Sequence, residues 1–165
     1  MKKILSLLGT ITLIGTSTTS LVACNTSQYT EQQLKELKEK HKIYTENKEI
    51  KDNLEWIAPQ EKPFSKVDNK YYFVVWHIKN NDDWRIIKFK NNIAIGYYQK
   101  IILDKYNTYD LKITEKNLLA DENRFAHHFW WDSDDGSNIK AVYRWNNDSE
   151  PNTDVEDKLK SYLDL

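Results

Sequence analysis

Hydrophobic and polar positions along this chain change their period three times. Residues 4–14 (ILSLLGTITLI) are almost continuously apolar. The run is too short to cross a bilayer, which takes about 20 apolar residues. From Thr30 the period becomes helical: Leu34, Leu37, His41 and Tyr44 recur at three- and four-residue spacing, with Glu and Lys between them. Thr30 and Gln33 hold the two positions of a capping box. After a break near Asn47 the stripe resumes through Ile50, Leu54 and Ile57. The heptad decays too early for a coiled-coil partner, so the helix is expected to pack on its own domain. On that face His41 is expected to be a half-buried core histidine that still responds to pH.

Pro59 and Pro63 stop the helix, and the period then shortens to that of strands. Residues 71–79 (YYFVVWHIK), 84–90 (WRIIKFK) and 93–103 (IAIGYYQKIIL) are rich in β-branched and aromatic side chains. Asn80 to Asp83 and Asn91-Asn92 are expected to be tight turns, since Asn tolerates positive φ. Gly96 suggests a bulge in the third strand. A loop is expected over 104–110, a short strand over 111–114 and a helical turn over 115–123. Strands follow at 125–132 and 139–146, joined by 133–137. The chain closes with a helix that Thr153 and Glu156 are placed to cap, with Val155, Leu159, Tyr162 and Leu163 on its apolar face. The pattern predicts an α+β fold: an antiparallel meander of about five strands with an N-terminal and a C-terminal helix.

The first apolar run belongs to a leader. Lys2 and Lys3 precede it, small and polar residues follow it, and Leu21-Val22-Ala23-Cys24 ends it with the only cysteine of the chain. This is the form of a bacterial lipobox, cut before Cys24, whose thiol then carries a diacylglyceryl anchor. The segment MKKILSLLGTITLIGTSTTSLVAC resembles the leaders of mollicute surface lipoproteins, especially the Spiroplasma type. The likeness covers about the first 25 residues, and the Lys-, Asn- and Ile-rich composition agrees with it. It implies lipidation (diacylglyceryl, palmitate) at Cys24 and an extracytoplasmic domain held to the cell membrane. The expected organisation is a signal peptide over 1–23, a lipidated tether over 24–29 and one domain over 30–165.

Composition narrows the function classes. Without Lys2 and Lys3 there are 22 basic and 25 acidic residues, a net charge of −3. No basic stripe is present, so nucleic acid is not an expected partner. With Cys24 acylated, no thiol remains for a disulfide, a metal or a nucleophile. No Gly-x-Ser-x-Gly elbow, His-Glu-x-x-His motif or Gly-rich phosphate loop occurs, so no catalytic residue is assigned.

Two features carry candidate chemistry. Aromatic residues stand in adjacent pairs: Tyr71-Tyr72, Tyr97-Tyr98 and Trp130-Trp131. Neighbours on a strand face opposite ways, so a sheet with one wet face should not carry such pairs. Either both faces are covered and the rings fill a core poor in Leu and Met, or one face offers a stacking surface to a sugar, peptide, partner protein or lipid headgroup. Asp132, Asp134, Asp135 and Asn138 have the oxygen chemistry of a calcium loop, although Asp135-Gly136 is also an ordinary turn dipeptide. His127 and His128 face opposite ways on a strand, and either would need His77 from across the sheet to hold zinc. No cofactor is expected. The reading is a membrane-anchored binding or protein-interaction module whose partner is a membrane or host-surface protein, a peptide or a sugar. A small surface hydrolase and an accessory subunit of a membrane complex are the alternatives.

Overall fold

The computed structural model describes residues 29–78, 83–122 and 128–165. The expected leader with Cys24, most of the expected turn from Asn80 to Asp83, and His127 lie outside the described residues. The architecture is α+β, with two four-stranded antiparallel sheets in place of the expected single meander. Helix α1 spans Glu31–Lys40 and α2 spans Lys48–Asn53. Strands follow at β1 Leu54–Trp56, β2 Tyr71–Trp76, β3 Arg85–Lys90, β4 Ile101–Tyr106, β5 Tyr109–Ile113, β6 Leu118–Glu122, β7 His128–Trp130 and β8 Ile139–Trp145. Helix α3, Asp154–Leu163, closes the chain.

The first sheet has the order β1-β8-β2-β3 and the second β4-β5-β6-β7. The second is a run of hairpins, so a meander does exist, but it accounts for only half of the strands. Tyr72, Val74, Trp76 and Val142 of the first sheet pack with Leu111, Ile113, Leu118 and Ala120 of the second. On its other face the first sheet sends Phe73, Val75, Tyr143 and Trp145 against Ile50 of α2 and Val155 and Leu159 of α3. The first sheet is therefore the middle of three layers. That is why β2 is apolar at every position: period-two alternation appears only where one face is wet. A polar link also joins the sheets. Arg85 grips Asp104 of β4 with two hydrogen bonds, of 2.7 and 3.0 Å, and the Trp76 indole N–H donates to the same carboxylate at 3.2 Å.

Several local expectations change. The capping box at Thr30 forms, with Gln33 reaching back to the Thr30 N–H. The stripe beyond Asn47 is not one helix: Asn47 caps the short α2, and Leu54 already belongs to β1. Thr153 has helical backbone angles and its hydroxyl caps nothing, so the second capping box is absent. Residues 93–100 are loop, not strand, and Gly96 sits in a turn closed by Gln99 rather than in a bulge. Asn91 turns no hairpin; it is buried, and its side chain donates to Lys66 O and Asp68. The expected loop at 104–110 is the β4–β5 hairpin, turned at Asn107 with φ 54°. Within the expected helical turn at 115–123, Leu118–Glu122 form strand β6, and Asn123 lies outside the described residues.

Candidate functional site

The paired aromatics separate according to the layers. Tyr72 is buried between the two sheets, where its hydroxyl donates to Asp68 at 2.6 Å. Burial and the Asp68 carboxylate push its phenol far above the usual range. Tyr71 faces the helix layer, half-buried, with the Lys90 ammonium 5.0 Å from its ring centre. Trp131 is buried against Phe64 in a three-ten turn. Trp130 is half-buried, directly across from Leu119 on the outer face of the second sheet. Tyr72 and Trp131 are thus withdrawn from solvent, and the six rings do not share one platform.

Tyr97 and Tyr98 differ from the rest. They stand on the loop between the two sheets, 66% and 89% exposed. Their ring centres are 4.1 Å apart in an edge-to-face contact, and the Lys116 ammonium lies 5.8 Å from the Tyr97 ring. The Gly96 N–H donates to the Gln99 side chain and the Gln99 N–H to the Gly96 carbonyl, which fixes the turn beneath them. Tyr98 has φ 67°, a left-handed backbone that a bulky side chain adopts only at a cost. Exposed Ile93 lies on the same loop.

The 132–138 segment closes on itself. Asp134 accepts hydrogen bonds from the N–H groups of Gly136, Asn138 and Ile139 at 3.0, 3.1 and 2.9 Å. Its other oxygen accepts from the Asn138 amide at 2.9 Å. Asp135 accepts from the Ser137 N–H, and the Ser137 hydroxyl, with that N–H, holds its carboxyl below the usual range. Asp132 sits in the three-ten turn Trp131–Ser133, where the segment begins. Both Asp134 oxygens and one Asp135 oxygen are turned to the chain's own N–H groups. Among the described residues, no three His, Cys, Asp or Glu side chains gather around one point.

The histidines are also apart. His77 is buried, stacked on Trp84 at 3.7 Å, with Nε2 2.6 Å from the Ser137 carbonyl oxygen. His128 lies on β7 in the other sheet. There it joins a group that the sequence pattern did not reveal. Asp110 and Asp121 face each other across β5 and β6, both buried. Lys112 bridges them, 2.8 Å from Asp121 and 3.3 Å from Asp110. His128 Nδ1 lies 2.7 Å from the other Asp121 oxygen, and Trp130 meets the imidazole at 6.3 Å. Burial raises the Asp121 pKa, but hydrogen bonds from Lys112 and His128 outweigh it and leave the carboxyl low. Burial likewise opposes the Lys112 charge, and the two aspartates overcome it and raise its pKa. A carboxylate that orients an imidazole is half of a nucleophile-activating arrangement. Asp110, Lys112, Asp121 and His128 thus form one polar network across three strands. Asp110 and Lys112 alternate on one strand, but only the register of β5 on β6 could have disclosed their partners.

No protein-family model matches the chain, and no solved structure matches it. It is similar to an uncharacterised protein, ORF1, of Spiroplasma virus SpV1-R8A2 B: 29% identical over 139 residues, which cover 72% of this chain and 15% of the viral protein. The chain thus spans a small part of that relative's length. The likeness connects the sequence with a Spiroplasma-related origin.

Proposed function

We propose that this protein is a lipoprotein anchored through Cys24 to the outer face of the cell membrane, and that its domain is a binding or protein-interaction module. The leader carries this reading. A basic start, a short apolar run and Leu21-Val22-Ala23-Cys24 are together what cleavage and thiol acylation require, and the cysteine occurs nowhere else. Among the described residues no helix is long and apolar enough to cross a membrane. The exposed Tyr97-Tyr98 pair, set on a strained and closed loop, supports the binding half, because strain of this kind collects at ligand-contacting segments. A diacyl anchor supplies two chains, which is what stable attachment takes. The test is Cys24→Ser. The wild-type protein is expected in the detergent phase on phase separation and to incorporate labelled palmitate. The variant is expected in the aqueous phase without label, and equal partitioning of the two would remove the proposal.

A further inference from the structure

Large apolar side chains that reach solvent are not spread evenly over the fold. Eight are exposed among the described residues, and five of them, Val67, Ile93, Tyr97, Tyr98 and Ile102, gather around the loop from β3 to β4. Contacts bring the five to one end of the molecule. Asn91, where the loop begins, donates its N–H to Lys70 O and accepts from the Asn69 N–H. Its side chain donates to the Lys66 carbonyl, which sets Val67 beside the loop. Ile102 is the second residue of β4, where the loop ends. The Lys116 ammonium lies 5.8 Å from the Tyr97 ring, so the turn between β5 and β6 joins the same end. The sequence carries no acidic residue from Trp84 to Leu103. Asp68 accepts from Tyr72 and Asn91, and Glu115 lies 3.2 Å from Lys116. The charge around the loop is thus largely matched, and its apolar side chains are what remain for a partner. Tyr98, the most exposed of them, projects from the surface rather than lining a depression.

From this end of the molecule we propose that the 91–100 loop dips into the headgroup layer of the phospholipid bilayer that carries the anchor, through Ile93, Tyr97 and Tyr98. A small ligand takes a concave site, whereas a projecting apolar loop suits a soft bilayer. Tyrosine collects at the membrane–water interface because its ring is apolar and its hydroxyl stays wet. Lys66, Lys100 and Lys116 lay apolar stems along such a surface and keep their ammonium groups in water. The bilayer is also within reach. Tyr29 is fastened to the domain by two hydrogen bonds with Gln60, and the five residue steps from Cys24 to Tyr29 span at most about 18 Å. The inference rests on anchoring through Cys24, and it adds a second, non-covalent contact that sets which end of the domain faces the membrane.

The test uses the protein recovered from membranes and reconstituted in phosphatidylcholine vesicles. Acylation blocks the Cys24 thiol, so Ala94→Cys, exposed on the loop, alone takes an environment-sensitive fluorophore. A blue-shifted emission, quenched by lipids spin-labelled near the headgroup, is expected. The same fluorophore on Lys158→Cys, exposed on α3 in the helix layer, should stay in water. Adding Tyr97→Ser/Tyr98→Ser to the Ala94→Cys chain should remove the shift without lowering the unfolding midpoint, since both rings are exposed. The shift should persist at high salt, because apolar contact and not charge drives it. A label at 94 that stays in water, equal quenching at 94 and 158, or a shift that salt abolishes or the tyrosine double variant keeps would each overturn the proposal. So would protection of residue 94 in native membranes but not in lipid vesicles, which would point to a protein partner. Cys24→Ser/Ala94→Cys at vesicle excess should show the same shift. Loop contact is thereby read apart from the anchor, whose own failure shows as absent palmitate in the wild type.

Discussion

Asp134 shows how one side chain decides between two chemistries. Four donors fill its carboxylate, three of them backbone N–H groups that the turn would otherwise leave unsatisfied. Asp134→Ala is expected to cost about 2–3 kcal/mol, the desolvation of those donors, measured by urea denaturation. Calcium should leave the wild-type melting temperature unchanged. Tyr98 makes the opposite case, since its φ of 67° stores strain for no core contact. Tyr98→Gly should stabilise the fold by up to about 1 kcal/mol in the same assay. Two residues set an acid limit. His41 stacks on Trp56 at 4.7 Å, and burial together with Lys40 lowers its pKa. Burial raises that of Glu55, but Lys38 and Asn146 outweigh it and hold the carboxyl low. A lowered folded pKa gives stability that is complete above the unfolded value and is lost as the pH falls through the folded one. Stability should therefore drop first below about pH 6.5, through His41, and again below about 4.3, through Glu55. His41→Phe should abolish the first drop in pH-dependent unfolding.

At the scale of elements, what could be read in the sequence was what is local. The Thr30 box and the α3 stripe of Val155 and Leu159 follow from spacing alone, and both elements form. The Thr153 box fails although its residues are right, because the chain enters α3 already in helical angles. Strand β6 was hidden because Leu118-Leu119-Ala120 favours a helix in isolation; pairing with β5 and β7 overrides that preference. The adjacent aromatics were legible as a problem and not as an answer. They mark β2 as covered on both faces, but nothing local says that a second sheet supplies the cover. The same limit kept the Asp110–Lys112–Asp121–His128 group out of sight, since its members meet only through strand register. The layer formed by α3 gives a direct check. Leu159→Ala removes a fully buried side chain over the first sheet and should cost about 2–4 kcal/mol in chemical denaturation.

For the whole molecule, three layers let a chain without a disulfide bury large aromatic side chains on both sides of one sheet. The most exposed aromatic side chains among the described residues are Tyr44, Tyr97 and Tyr98. An N-terminal segment with the pattern of a lipoprotein leader, joined to a domain with exposed aromatic side chains, is the basis for proposing an anchored binding module. The most direct measurement of that claim is the mass of the N-terminal peptide of the protein recovered from membranes. The account predicts a chain that begins at Cys24 and carries a diacylglyceryl group on sulfur. A chain that still begins at Met1, or a Cys24 without lipid, would contradict it.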